Sequence, residues 1–349
     1  MILFGLILLA YALANLKDVL VPLAFSLLLA ILLNPLASRL QVWKIPRVLA
    51  IVIALLAALI IIAAIGYFLS SQIAGFTDQL PLLKQKFTAL LLQLQKEASE
   101  RFGLNMQKQR EMIVDAESNI RPLVGHTLGT LAGSVFMMVL LPVYTFLFMY
   151  YKVLILNFLY EIFAEENSKE VGTVLRQTKA AIQNYMRGLL LEAIIVAALN
   201  SAALMLLGVE YAILLGVLGA ILNVLPYIGG IIAIALPVII ASITKDGFQT
   251  QLGIIAAYMI IQFIDNHFLV PYIVSSRVKI NALISIVVVL LGDALWGVPG
   301  MFLSIPFIGV LKIIFDRVPE LKPWGKLLGD EVPTRHKGEL WSIRRKKVV

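Results

Sequence analysis

The sequence contains no cysteine and only three histidines, His126, His267 and His336, which lie far apart along the chain. The absence of cysteine excludes disulfides, thiolate chemistry and cysteine-based metal sites. The separated histidines form no partner set for a metal ion. The sequence therefore predicts neither a metal site nor a cofactor.

Charged residues are also scarce. They make up 14% of the chain, whereas a water-soluble domain carries roughly 25%. Hydrophobic residues make up 60%, and the mean hydropathy is +0.92. The apolar runs are too long and too uninterrupted for barrel strands, so the chain is predicted to cross a membrane as helices.

We predict an all-α polytopic membrane protein with eight apolar segments: about six full spans and two re-entrant broken-helix hairpins. The predicted regions are transmembrane helices over 1–70, a small helical extracytoplasmic insert over 71–125, a transmembrane helix over 126–151, a cytoplasmic amphipathic helical linker over 152–188, a transmembrane transport region over 189–315 and a basic cytoplasmic tail over 316–349. The insert has balanced charge and the three-four apolar spacing of one amphipathic helix. It could cap the transport region, contact a neighbouring subunit or pack on its own chain.

The positive charges predict the orientation. Arg39, Lys44 and Arg47 occur without an acid, and the tail ends in "RRKK", so residues 37–47, 152–188 and both termini are predicted to be cytoplasmic. Residues 71–125 and the loop at Lys245 are then predicted to lie outside. The net charge of +8 is explained by this distribution, and the predicted partner is the lipid bilayer rather than nucleic acid.

Two long apolar segments carry helix breakers at their centres. Residues 211–243 are interrupted over Asn223–Gly230, and residues 280–315 are interrupted over Gly292–Gly300. The fifth span ends outside and the tail lies inside, so an odd number of crossings must separate them. Two re-entrant hairpins around one crossing helix at 252–272 meet that condition, and several short full spans are the alternative.

The two interruptions share a sequence pattern. Gly216, Gly219, Leu222 and the run "PYIG" at 226–229 correspond to Gly297, Gly300, Leu303 and "PFIG" at 306–309. Duplicated discontinuous helices point to a transporter's binding site. Their free backbone N–H and C=O groups could hold a polar solute or an ion at membrane depth. Pro226, Gly229, Gly230, Pro306 and Gly309 are candidate site residues for this reason.

Polar side chains inside apolar segments are further candidates, because they are costly in a membrane. Gln262, Asp265 and Asn266 cluster in "QFIDNHFLVP", and Asp265 could bind a cation, carry a proton or pin a neighbouring hairpin. Asn223 in the first break could contact the solute or satisfy freed backbone groups. Glu192, expected in the first turn of the fifth span, could take part in ion coupling.

The chain resembles the autoinducer-2 exporter family, also called PerM-like permeases. The matching stretches are "VLVPLAFSLLLAILLNPL" with "IPRVLA", "LLGVLGAILNVLPYIGG", and "QFIDNHFLVPYIVSSRVKINALISIVVVLLGDALWGVPGMFLSIP". The resemblance implies a multi-pass transporter of the bacterial inner membrane. It also implies a homopentamer in which a mobile transport part moves against a fixed scaffold. The expected cargo is a small polar solute such as autoinducer-2, or a monovalent cation (sodium or lithium) exchanged for protons.

Other functional classes leave different signatures. The chain has no H-E-x-x-H zinc-protease motif and no G-x-x-x-x-G-K-[ST] phosphate loop, so neither zinc proteolysis nor ATP hydrolysis by that loop is predicted. We expect no enzymatic activity. A non-transporting scaffold or sensor is the remaining alternative, and the paired broken segments argue against it because a passive scaffold has no need of them.

Overall fold

The computed structural model describes residues 2–102, 139–162, 168–225, 229–245, 247–274 and 280–330. Within these ranges the protein is helical, which confirms the predicted all-α class, and the one extended contact is an isolated bridge between Ile280 and Gly329. The first helices are α1 (Ile2–Asn15), α2 (Lys17–Val42), α3 (Arg47–Phe102), α4 (Val139–Tyr150), α5 (Lys152–Ile162) and α6 (Ser168–Leu206). They are followed by α7 (Ala212–Asn223), α8 (Gly229–Thr244), α9 (Gln249–Ile264) with its π-helical continuation Asp265–Val274, α10 (Ala282–Trp296), α11 (Val298–Arg317) and α12 (Lys322–Leu328).

Within the described residues, five stretches are long and apolar enough to cross a membrane: Lys17–Val42, Arg47–Ile73, Lys169–Leu206, Gln249–Ile273 and Val298–Arg317. Helices α4 and α5 form a sixth if they are one span, and they are bent by 62° at their junction. Helix α1 has 14 residues, or about 21 Å, which is less than the roughly 30 Å of a hydrocarbon core. These helices make the chain a multi-pass membrane protein.

Two predicted region boundaries fall inside helices. Helix α3 continues without interruption from its span to Phe102, so the described start of the predicted insert is part of that helix rather than a separate one. Residues 103–125 lie outside the described residues. Helix α6 likewise joins the predicted amphipathic linker and the fifth span in one helix of 39 residues. Amphipathic and apolar stretches follow one another here within a single helix, so the composition changes while the helix continues.

The described chain divides into two compact units. The first comprises residues 1–157 and 186–274, and the second comprises 158–185 and the region from 275. The first unit has two apolar clusters. One joins α2, α3 and α4 through Ala30, Leu33, Ala37, Ile51, Ala54, Leu55 and Met149. The other joins the end of α6 to α7, α8 and α9, and Tyr258 and Ile254 lie at its centre.

The bend between α4 and α5 is held by Arg47 at the start of α3. Its Nη2 donates to the carbonyl oxygens of Met149, at 3.2 Å, and Tyr150, at 2.6 Å. These carbonyls lie at the end of α4, where they lack helical partners and attract positive charge. The arginine therefore satisfies the end of one helix while the next begins in a new direction.

The second unit contains the hairpin formed by α10 and α11, which pack closely on each other. Gly297 separates the two helices and has φ +64°, a conformation that glycine adopts without strain. A Cβ on Gly300 would collide with the carbonyl of Gly292. The hairpin therefore depends on glycine both at its turn and at its contact surface.

Candidate functional site

The first predicted interruption is a break between α7 and α8. Helix α7 ends at Asn223 and α8 begins at Gly229, while Pro226 lies outside the described residues. A Cβ on Gly229 would collide with the carbonyl of Leu222. Glycine is thus required here because the start of α8 approaches the end of α7 too closely for a side chain.

Side chains from α9 meet this break and form a hydrogen-bonded chain. Gln262 Nε2 donates to Asn223 Oδ1 at 2.7 Å, and Asn223 Nδ2 donates to Asp265 Oδ2 at 2.8 Å. Gly230 lies beside this chain, since a Cβ there would be 3.3 Å from Gln262 Nε2. The predicted candidates Asn223, Gly230, Gln262 and Asp265 therefore come together in one place.

Asp265 lies where α9 changes from α-helical to π-helical hydrogen bonding. The side chain is only 2% exposed, and its Oδ1 atom accepts no hydrogen bond of good geometry from the described residues. An unsatisfied buried carboxylate oxygen is costly unless something else binds it.

Glu192 completes the cluster, although its predicted position was wrong. It was expected in the first turn of a helix near the membrane surface, but it lies well inside α6 and is 7% exposed. Its carboxyl group is close enough to that of Asp265 for the two to interact directly. The expectation failed because α6 begins at Ser168, far before the predicted start of the span. We call Glu192, Asn223, Gln262 and Asp265 the acidic cluster.

Other candidates are placed elsewhere. Asn266 is exposed next to Asp265, and His267 is exposed with its Nδ1 3.0 Å from the Phe263 carbonyl oxygen. Pro306 and Gly309 lie inside the regular helix α11. The shared sequence pattern therefore has two structural settings: the glycine of "PYIG", Gly229, begins α8 after the break, whereas "PFIG" lies several residues beyond the Gly297 turn, inside α11.

Three buried polar residues were not singled out from the sequence. Asn200, Gln251 and Tyr258 are 2%, 8% and 1% exposed, and an oxygen of each accepts or donates no hydrogen bond among the described residues. Gln251, Tyr258 and Asp265 are seven residues apart in sequence and thus share one face of a helix. The seven-residue spacing from Asp265 is the sequence signal that could have identified Gln251 and Tyr258.

The acidic cluster offers two carboxyl groups and two amides in a buried site. Two carboxylates side by side in a low-dielectric environment repel each other, and a proton or a cation between them relieves the repulsion. The amides can donate to and accept from a polar solute. No group of three or more histidine or acidic residues that could hold a metal ion occurs in the described part of the chain.

Residues 1–320 match the sequence model of a family described as AI-2E family transporter. The AI-2 transport protein TqsA of Escherichia coli (strain K12) is 26% identical over 319 residues, which cover 90% of each chain. YhhT of the same organism is 27% identical over 324 residues, covering 93% of this chain and 90% of its own. YrrI of Bacillus subtilis (strain 168) is 23% identical over 309 residues, covering 85% and 86%.

Proposed function

Because this chain belongs to the AI-2E transporter family, we propose that it carries a small polar solute, such as autoinducer-2 or a related molecule, across the bacterial inner membrane. The similarity to TqsA, whose name describes AI-2 transport, supports this class of solute. The observation that carries the proposal is the hydrogen-bonded chain Gln262–Asn223–Asp265 at the break between α7 and α8. Such polar groups are costly within a membrane segment, so their presence there favours a functional site.

The break supplies binding groups that an intact helix lacks. The last carbonyl groups of α7 and the first N–H groups of α8 have no intrahelical partners. Together with the amides of Asn223 and Gln262, they can replace the water that a hydroxylated solute loses in the membrane. Helices α7 and α8 have 12 and 16 residues, about 18 and 24 Å, so each is shorter than the hydrocarbon core. A re-entrant placement of this hairpin fits those lengths.

The second hairpin has a different length pattern. Helix α10 has 15 residues, whereas α11 has 20 and is long enough to cross alone. We keep the re-entrant placement as part of the proposal for α7–α8 and regard a full crossing by α11 as the alternative for the second hairpin. The proposal includes cytoplasmic termini, and labelling of a Lys245→Cys variant from outside with an impermeant thiol reagent tests that orientation.

The family resemblance suggests how the site would reach both sides of the membrane. A transport region containing α7, α8 and α9 would move against a scaffold formed by a homopentamer. Movement of the site, rather than ATP hydrolysis, would then expose the solute alternately on the two sides. Cross-linking of the full chain in membranes tests the predicted pentamer independently of transport.

A second candidate is sodium or lithium exchange for protons. The neighbouring carboxyl groups of Glu192 and Asp265 favour it. A monovalent cation and a proton would compete for the same pair, and that competition is the requirement for exchange. In this case the side-chain amides of Asn223 and Gln262 would position the cation rather than bind an organic molecule.

Reconstituted full-length protein distinguishes the two functions. Proteoliposomes are assayed for autoinducer-2 flux, and separately for sodium-driven proton movement with a pH-sensitive dye inside. Asn223→Leu should abolish the operative flux because it removes both hydrogen bonds of the chain. Asn266→Leu is the matched control, since that asparagine is exposed. Equal flux in both variants and the parent would contradict the proposed site.

A further inference from the structure

The buried face of α9 alternates between polar and apolar residues. Gln251, Ile254, Tyr258, Ile261 and Asp265 follow three-four spacing, and all five are buried. The polar residues recur every seventh position, and isoleucine occupies the positions between them. Such spacing keeps all five side chains along one narrow stripe of the helix.

Helix α6 shows the same alternation. Glu192, Val196, Asn200 and Leu204 are four residues apart and buried. Polar and apolar residues again take turns along one face. A stripe that served only apolar packing would have no reason to include an acid and an amide, because burying them is costly.

Specific contacts match the polar positions of the two helices. Glu192 lies beside Asp265. A Cβ on Gly219 of α7 would be 3.3 Å from Asn200 Nδ2 and 3.5 Å from Tyr258 Oη, so those two side chains converge on the same glycine. Leu204, Ile254 and Tyr258 share one apolar cluster. The order along α6 is therefore the reverse of the order along α9.

Polar atoms of this stripe have no hydrogen-bond partner among the described residues: Asn200 Oδ1, Gln251 Oε1 and Tyr258 Oη, all of them buried. Buried polar groups in folded proteins almost always have a partner, and water is the usual one where protein supplies none. Three such atoms in one region point to a shared purpose.

We propose that Asn200, Tyr258 and Gln251 form a polar relay that conducts water and protons between the Glu192–Asp265 pair and the end of α9 that bears Gln251. This inference rests on the second candidate function, exchange of a cation for protons, and adds the route by which the carboxyl pair exchanges protons. Gln251 and Asp265 are separated by 14 residues of helix, or about 21 Å. Tyr258 lies midway, and its hydroxyl can both donate and accept a proton.

Buried apolar residues lie between the polar residues of the proposed relay. Val196 and Ile254 are 1% and 0% exposed and separate the polar positions. Gly219 lets α7 approach the middle of the relay closely, because a Cβ there would lie 3.3 Å from Asn200 Nδ2 and in van der Waals contact with Tyr258 Oη.

Water access can be measured without any transport assay, because the native chain has no cysteine. Single variants Asn200→Cys and Gln251→Cys are prepared in full-length protein in proteoliposomes. A small charged methanethiosulfonate reagent is applied to both faces, and modification is followed by mass. Only a thiolate in contact with water reacts, so both variants should react faster than buried apolar controls by about tenfold or more.

The controls are Val196→Cys and Ile254→Cys, which lie in the same helices and are also buried; Val196 is the closer match, since it and Asn200 are 1% and 2% exposed. Modification of Asn200→Cys and Gln251→Cys at the rate of these controls would overturn the relay. This result is independent of the proposed function, because it needs no knowledge of the cargo. Absence of any flux in the parent protein would instead count against the proposed function alone.

Tyr258→Phe provides the second test. It removes one hydroxyl and keeps the ring. A purely structural Tyr258 predicts an unchanged or higher melting temperature and unchanged flux, since the hydroxyl has no hydrogen-bond partner among the described residues. A relay predicts the same melting behaviour but slower proton movement, reduced about tenfold if one hydrogen-bonded step is lost. Unchanged proton movement in sodium-loaded proteoliposomes would overturn the proposal.

Discussion

The α7–α8 and α10–α11 hairpins share a sequence pattern but use it differently. In the first, α7 ends at Asn223 and α8 begins at Gly229, and Asn223 is hydrogen-bonded to Gln262 and Asp265. The second is closed by the single residue Gly297. Its buried hydroxyl, that of Ser304, lies 2.8 Å from the Val288 carbonyl oxygen and 2.7 Å from that of Gly300.

This difference separates two uses of glycine and polar residues in a membrane. In the second hairpin, small residues let two helix backbones approach closely, and the hydroxyl satisfies the backbone locally. In the first, Asn223 of α7 bonds to polar side chains of a different helix, and one of them, Asp265, lies beside the carboxyl group of Glu192. These contacts support the proposal that the first hairpin contributes to a binding site, whereas the contacts of the second are those of helix packing.

The largest effect is expected from Gly300→Ala in the second hairpin. The added Cβ would collide with the Gly292 carbonyl, and overpacking of this kind typically costs about 1–3 kcal/mol or more. We expect a clear fall in the melting temperature of detergent-solubilised protein. Gly309→Ala in the same helix is the control, because nothing lies within 4 Å of its added Cβ. Equal melting temperatures for the two variants would show that the close approach is not required.

Among changes at the site beside the first hairpin, Asp265→Asn at the end of α9 should have the largest effect, and the effect should be on transport. The amide oxygen can still accept from Asn223, so the fold should persist, but the negative charge is lost. An interaction with a charged group contributes about 1.5–3 kcal/mol, so cation-coupled flux should fall by tenfold or more. It is measured in sodium-loaded proteoliposomes.

Ser304→Ala is the matched variant in the second hairpin. Loss of its hydroxyl should reduce stability by about 1 kcal/mol while transport per folded molecule is retained. If instead Asp265→Asn transported normally and Ser304→Ala did not, the assignment of the two hairpins would have to be reversed.

Gly230→Ala is expected to have an intermediate effect. Its added Cβ would be 3.3 Å from Gln262 Nε2, a flexible side chain that can shift by a few tenths of an ångström. Because alanine favours the helix by up to about 1 kcal/mol over glycine, stability should be unchanged or slightly higher. Flux should fall severalfold, since the Gln262–Asn223 hydrogen bond is displaced. Comparing melting temperature and initial flux rate in one preparation checks both parts, and a stable variant with full flux would argue against a role for Gln262.

Asp316→Asn should have the smallest effect. Asp316 forms an ion pair with Lys312 at 2.6 Å in α11, but the carboxyl side chain is 44% exposed. Exposed pairs four residues apart contribute about 0.3–0.5 kcal/mol. Neither melting temperature nor flux should change measurably. A large loss of flux would mean that α11 carries a functional charge, which would weaken the contrast between the two hairpins.

The amino-acid sequence alone determined the membrane class, the helical character and the positions of both interruptions. These properties follow from local quantities: the scarcity of charge, the length of the apolar runs and the placement of proline and glycine. It also identified Asn223, Gln262 and Asp265 as separate candidates, because each is a polar residue in an apolar segment. The family could be identified from conspicuous stretches at both ends of the hydrophobic chain.

Helix boundaries were less predictable. Helices α3 and α6 continue through changes of composition. The backbone hydrogen bonds of a helix can form both in an apolar stretch and in an amphipathic one, so the helix need not end where the two meet. The displacement of Glu192 from a helix start to a helix interior is a direct consequence. A composition shift marks where a chain leaves the membrane, but not where its helix ends.

Only the tertiary structure decided which polar residues meet. Glu192 and Asp265 lie far apart in the sequence, as do Asn200 and Tyr258, and each pair comes together because α6, α7 and α9 pack around one apolar cluster. Helical periodicity specifies the face on which a residue lies, but not the helix that this face will contact. Likewise, the pattern common to "PYIG" and "PFIG" could not reveal that one borders a break and the other lies within a helix, because that depends on which backbone packs against it.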